Sequence, residues 1–189
     1  METFTYLAGF STLILGLAVA KLLQGLADLT EERGRVRFYW LPVGWMVGLL
    51  AACAWEWWMV LRWRTFSGWT FGHFAFLLLK PCILFYLASL VVPRFPDAGT
   101  VDLDEHYFRV HRYFFVLFTV FLLLDLADTA LKGMDYFRSF GAGYPVTVVA
   151  QAAVQLSAAF VRRRAYHALV GIFAWGGFLL SYFTGTLSL

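Results

Sequence analysis

Charge is scarce in this chain. Asp, Glu, Lys and Arg make up 14% of its 189 residues, whereas a soluble domain carries about 25%. Cysteine is scarcer still: Cys53 and Cys82 fall in separate apolar segments and read as small apolar side chains rather than a disulfide framework. No Cys or His pair has CxxC, HxxxH or HExxH spacing, so no metal is expected. No cofactor is called for either. Before Lys21 the only charged side chain is Glu2. The first apolar stretch therefore lacks the basic n-region of a signal peptide and is expected to stay in the mature protein. Net charge is +3 with a pI near 9.0, yet no basic stripe interleaves with exposed aromatics, which excludes nucleic acid as a partner. There is also no TVGYG-like filter loop.

What remains is apolar. Hydrophobic residues reach 61% and aromatics 20%, with 20 Phe and 8 Trp, and the mean hydropathy is +0.69. A helix needs about 20 apolar residues to cross a bilayer. Such stretches occur at roughly 5–27, 39–61, 70–92, 107–131, 144–161 and 166–187. The expected fold is all-α: one polytopic bundle of six transmembrane helices over residues 1–189, partnered by the lipid bilayer. The expected location is a cell membrane, a bacterial inner or plasma membrane.

Basic residues set orientation. Arg33, Arg35, Arg37, Arg94, Arg109, Arg112, Arg162, Arg163 and Arg164 belong to the odd-numbered loops. Arg62, Arg64, Lys132 and Arg138 belong to the even ones. Nine against four places the odd loops in the cytoplasm and both termini outside. The acidic run Asp102, Asp104, Glu105 precedes the fourth helix and suits its positive dipole end. Trp40, Trp57, Trp58, Trp63 and Trp69 read as an interfacial belt. Short matches 100 residues apart, Leu26-Ala27-Asp28 with Leu126-Ala127-Asp128, raise a weak 3+3 inverted repeat of the kind found in transporters.

Ionisable residues inside the spans carry the functional expectation, because charge in hydrocarbon must face protein, a partner or water. Gly44, Gly48, Ala52 and Glu56 recur every four residues along helix two. This small-residue stripe admits a close neighbour and puts Glu56 roughly 8 Å below the outer edge of the span. Lys80 precedes Pro81 near mid-helix three, where proline is expected to break the helix. Lys80 needs a carboxylate, with Glu56 and Asp125 the candidates. Asp125 and Asp128 share a face of helix four, with Asp128 expected at the outer border and within reach of Lys132. Lys21 is placed toward the cytoplasmic end of helix one. Gln151 and Gln155, with Thr147, form a polar stripe on helix five.

Together Glu56, Lys80, Asp125, Asp128, Gln151, Gln155 and Lys21 suggest stepping stones across the bilayer. The expected function is a small transport protein, an oligomeric ion channel or proton-linked transporter, passing an inorganic ion or small solute. A homo-oligomer is expected, with Gly44/Gly48/Ala52 and Gly177/Ser181/Gly185 as subunit seams. The alternative is a non-catalytic membrane subunit, sensor or effector whose buried charges are structural. A lipid-modifying enzyme fits less well: no catalytic residues are assigned, because His106, His111 and His167 are expected on the side opposite Asp125 and Asp128.

Overall fold

The computed structural model describes residues 2–66, 68–96 and 99–183, and the side chains of residues 4–64, 66, 68–96 and 99–177. The chain is 84% helical. The described residues form seven α-helices: α1 (Glu2–Glu31), α2 (Trp40–Val60), α3 (Phe71–Val91), α4 (Leu103–Leu131), α5 (Met134–Ser139), α6 (Gly143–Ala158) and α7 (Arg164–Phe183). Among the described residues, four stretches, Phe4–Glu31, Trp40–Arg64, Phe71–Val91 and Leu103–Leu131, are long and apolar enough to cross a membrane. The fifth expected span corresponds to α6, which has only 16 residues, short of the ~20 a crossing needs. The last six residues of α7 lie beyond the described side chains.

Local chemistry explains several helix ends. The Asp102 carboxylate accepts the main-chain N–H of Asp104 at 2.9 Å and of Glu105 at 3.1 Å, satisfying two of the four orphan donors that open α4. Gly133 follows α4 with φ +133°, a conformation side chains resist, and it turns the chain into the short α5. The break expected at Pro81 does not occur. Helix α3 runs unbroken through Pro81, because a single missing N–H leaves the flanking hydrogen bonds to hold the helix.

The structure also adds two short strands, β1 (Val36–Arg37) and β2 (Val101–Asp102), paired in parallel. They join the turn before α2 to the turn before α4. Arg35 reinforces the junction by donating to the main-chain oxygens of Gly99 and Pro96, and Arg37 lies 3.1 Å from Asp102. Arg164, at the start of α7, forks onto both oxygens of Asp104 at 2.9 and 2.7 Å. The turns leading into α2, α4 and α7 therefore meet at one end of the bundle.

Helix α1 packs along α3 and α2, whereas α4 packs along α6 and α3. At the centre Trp45 makes edge-on contacts with Phe114, Phe115, Phe118 and Trp175, at centroid distances of 5.1 to 5.5 Å. Gly48 is the position that admits Trp175: a Cβ there would overlap the indole ring. The middle of the small-residue stripe is thus occupied by the chain's own α7, not by a second copy. Close intrachain packing of an indole explains why a glycine stands there. Of the second expected seam, Gly177 is exposed, while the side chain of Ser181, and Gly185, lie outside the described residues.

Candidate functional site

The intramembrane charges converge near the end of the bundle opposite the strand pair. Glu56 comes four residues before the end of α2, Asp125 six before the end of α4 and Lys80 from the middle of α3. At 1.5 Å per residue the two acids lie about 6 and 9 Å inside their helix ends. Lys80 Nζ stands 2.7 Å from Glu56 Oε2, 3.1 Å from Asp125 Oδ1 and 3.9 Å from Asp128 Oδ2. Lys132 takes the other flank of Asp128 at 2.5 Å. Three carboxylates thus enclose two ammonium groups, leaving one excess negative charge when all are ionised.

Neutral donors complete the network. The Trp63 indole N–H donates to Asp128 Oδ1 at 2.9 Å, and the Tyr144 hydroxyl donates to Asp125 Oδ2 at 2.9 Å. The Thr129 hydroxyl reaches both the Tyr144 oxygen and the Asp125 main-chain carbonyl. Lys80 also lies 5.5 Å from the Phe121 ring and Lys132 5.6 Å from the Trp63 ring, where the ring face favours a cation. Glu56, Lys80 and Asp128 are almost wholly shielded, at 2 to 3% exposure. The Asp125 side chain keeps 30%.

That exposure opens onto a cavity of about 250 Å³ between α2, α4, α6 and α7, with Tyr136 of α5 on its wall. Arg62, Thr147 and Gln151 join Asp125 and Tyr144 as polar lining, and Trp55, Phe121, Tyr136 and Trp175 provide aromatic walls. Arg62 holds its guanidinium 5.8 Å from the Tyr136 ring centroid. The chemistry on offer is recognition: a carboxylate with free acceptor capacity, a guanidinium and flat apolar faces.

The structure brings Glu56, Lys80, Asp125 and Asp128 together and sets Gln151 on the adjoining cavity wall. Gln155, one turn further along α6, is fully buried and neither amide atom has a hydrogen-bond partner. Lys21 is exposed on α1, which contributes no residue to the cavity lining. Asp128, expected at the outer border, is buried one turn from the end of α4, bound by Trp63 and Lys132. Trp63, read as a belt residue, is 1% exposed because its N–H is bound to that aspartate. Trp40 and Trp57 remain half exposed. Tyr144 was not anticipated, and its only sequence signal is a hydroxyl at the start of a helix with a polar stripe.

The opposite end carries a separate aromatic and histidine cluster. His167, fully buried, lies 2.9 Å from the Tyr107 hydroxyl through Nδ1 and 2.7 Å from the Val161 carbonyl through Nε2. A carbonyl accepts only, so Nε2 carries the proton and Nδ1 accepts from Tyr107. His111 bonds the Phe108 carbonyl and His106 those of Leu90 and Val91. All three rings are engaged in packing far from Asp125. At this end the carboxyl of Asp102 is held below the usual carboxylate range by the N–H of Glu105, the N–H of Asp104 and the Arg37 charge.

A helical bundle with spanning-length apolar helices and a buried ionic network defines a membrane-type protein. The chain matches no protein-family model, no curated protein and no solved structure.

Proposed function

We propose that the protein is a small multi-pass membrane transport protein in which a small solute or ion is taken up at Asp125. One observation carries this reading: the only network carboxylate that is not shielded opens onto the cavity. A group ionised at this depth is costly, and a purely structural network has no need of a water-accessible member. Asp125 also shares Lys80 with Glu56, so a cation arriving at Asp125 competes with Lys80. Lys80 then keeps Glu56 as its partner. This gives a proton or solute a means of altering helix packing between α2, α3 and α4.

A second reading, a non-catalytic membrane subunit, draws on the pairing of Glu56 with Lys80 and of Asp128 with Lys132, which balances those four charges without any ligand. The two separate in proteoliposomes. Purified protein should carry charge or protons across the bilayer above the empty-vesicle rate, and Asp125→Asn should lower that flux at least tenfold while the protein stays folded. Flux equal to that of empty vesicles, with and without a proton gradient, would leave the subunit reading.

A further inference from the structure

Four arginines at the strand-pair end face acids: Arg35, Arg37, Arg109 and Arg164 each lie 2.7 to 4.0 Å from a carboxylate. Arg112 and Arg162 behave differently. Both are exposed, and among the described residues neither side chain has an ion pair or a hydrogen bond. Each packs on an aromatic ring instead. The Arg112 guanidinium lies 5.7 Å from the Phe160 ring centroid, and that of Arg162 lies 5.8 Å from the Phe108 ring centroid. The two contacts cross one seam, because Phe108 and Arg112 are a turn apart on α4 while Phe160 and Arg162 are two residues apart after α6. A cation over a ring face is held by the ring's quadrupole, which leaves the N–H donors of the guanidinium edge for another acceptor. We propose that Arg112 and Arg162 clamp the phosphate of an anionic phospholipid whose acyl chains lie along the seam between α4 and α6.

The seam has the form of a lipid site. Thr129 meets Tyr144, Thr119 approaches the Ala152 carbonyl and Arg112 covers Phe160, so α4 and α6 run antiparallel side by side. Residues 113–124 and 143–161 contain no Asp, Glu, Lys or Arg. Arg112 and Arg162 are thus the last charges before an apolar surface, the level at which lipid headgroups lie. Beyond them the seam exposes Val116 and Val120 from α4 and Val149 and Leu156 from α6, at 39 to 51%. Aliphatic side chains of this kind suit an acyl chain, and a free phosphate would leave them uncovered. Charge selects the headgroup. A guanidinium fork matches phosphate oxygens, whereas the choline or ethanolamine of a zwitterionic lipid would bring a cation beside two like charges. Phosphatidylglycerol has no such cation. The inference stands apart from the transport reading and requires only that this seam face lipid.

The full chain in dodecyl maltoside micelles is titrated with phosphatidylglycerol or phosphatidylcholine of identical acyl chains, and bound lipid is counted by native mass spectrometry. Phosphatidylglycerol should bind at least about tenfold more tightly, each arginine at the membrane surface being worth about fivefold. Arg112→Gln and Arg162→Gln should each weaken it about fivefold. Arg33→Gln removes the same charge from an exposed arginine before β1 and should leave the preference intact. Val116→Trp crowds the seam with both arginines in place, so it should also weaken phosphatidylglycerol, and it serves if an arginine variant misfolds. Equal binding of the two lipids, a preference that survives loss of both arginines, or an Arg33→Gln effect as large as theirs would overturn the proposal. If inorganic phosphate at equal concentration displaces the lipid, the arginine pair takes a free phosphate and the lipid assignment fails. Lipid selectivity without flux counts against the transport reading alone, and flux without lipid selectivity counts against this inference alone.

Discussion

Lys80 stands among three carboxylates, so its loss is not equivalent to the loss of any one of them. Lys80→Met would leave the shielded Glu56 without its ammonium partner, and stranding a buried charge costs about 3–5 kcal/mol. Glu56→Gln still leaves Lys80 with Asp125 at 3.1 Å, so its cost should be smaller. The double variant removes one charge of each sign and should be more stable than Lys80→Met alone, with a coupling of about 0.5–3 kcal/mol. Unfolding midpoints in one detergent test the order, and a Lys80→Met midpoint at the wild-type value would show that the network does not hold the helices. The partners of Lys80 were legible from sequence, because an ammonium at mid-helix demands a carboxylate and few exist. Trp63 and Tyr144 were not. Each resembles an aromatic at a membrane border, and only tertiary packing turns them inward as donors to Asp128 and Asp125.

At the scale of single elements, the two glycines of the α2 stripe separate by what each would meet. A Cβ at Gly44 would stand 3.8 Å from the Trp40 ring, an ordinary contact, and alanine is the better helix former. Gly44→Ala should be neutral or slightly stabilising. At Gly48 the added carbon overlaps Trp175, and overpacking of a closed core costs about 1–3 kcal/mol. Equal midpoints for the two variants would show that α7 does not seat on α2 as described. The stripe was visible in the sequence, but spacing alone does not say whether a partner helix belongs to the same chain. The start of α4 offers a different test, in pH. The Asp102 carboxyl titrates below its unfolded value of about 3.9. Its stabilisation is therefore complete above that pH and is lost as pH falls through the lower folded value. Asn caps a helix about as well as Asp but does not titrate. The midpoint difference between wild type and Asp102→Asn should hold steady from about pH 5 to 7 and shrink below about 4. A difference that grows in acid would contradict the assigned role.

For the molecule as a whole, the long apolar spans were readable because bilayer thickness dictates their length, whereas the features that close the bundle were not. Helix α5 has six residues between Gly133 and the Gly141 turn, too few for a periodic signal. The strand pair has two residues a side. Its register depends on loops brought together by the helices, so no local pattern announces it. These small elements tie the turns before α2, α4 and α7 to one end, while the contact of Arg62 with Tyr136 and of Lys132 with Trp63 ties the intervening turns to the other. The arrangement is what alternating membrane crossings require. The proposed orientation, read from the excess of arginine at the first end, puts that end in the cytoplasm. Single cysteines test this in a background lacking Cys53 and Cys82. At Gly34 and Arg163, in the first group of turns, a membrane-impermeant maleimide should react only after the cytoplasmic face is opened to it. At Arg64 and Ser139, in the second group, it should react with intact cells. All four positions are exposed, so silence cannot be ascribed to burial. If Gly34 and Ser139 label from the same side, the chain does not cross between those turns as proposed, and Asp125 would no longer lie within the bilayer.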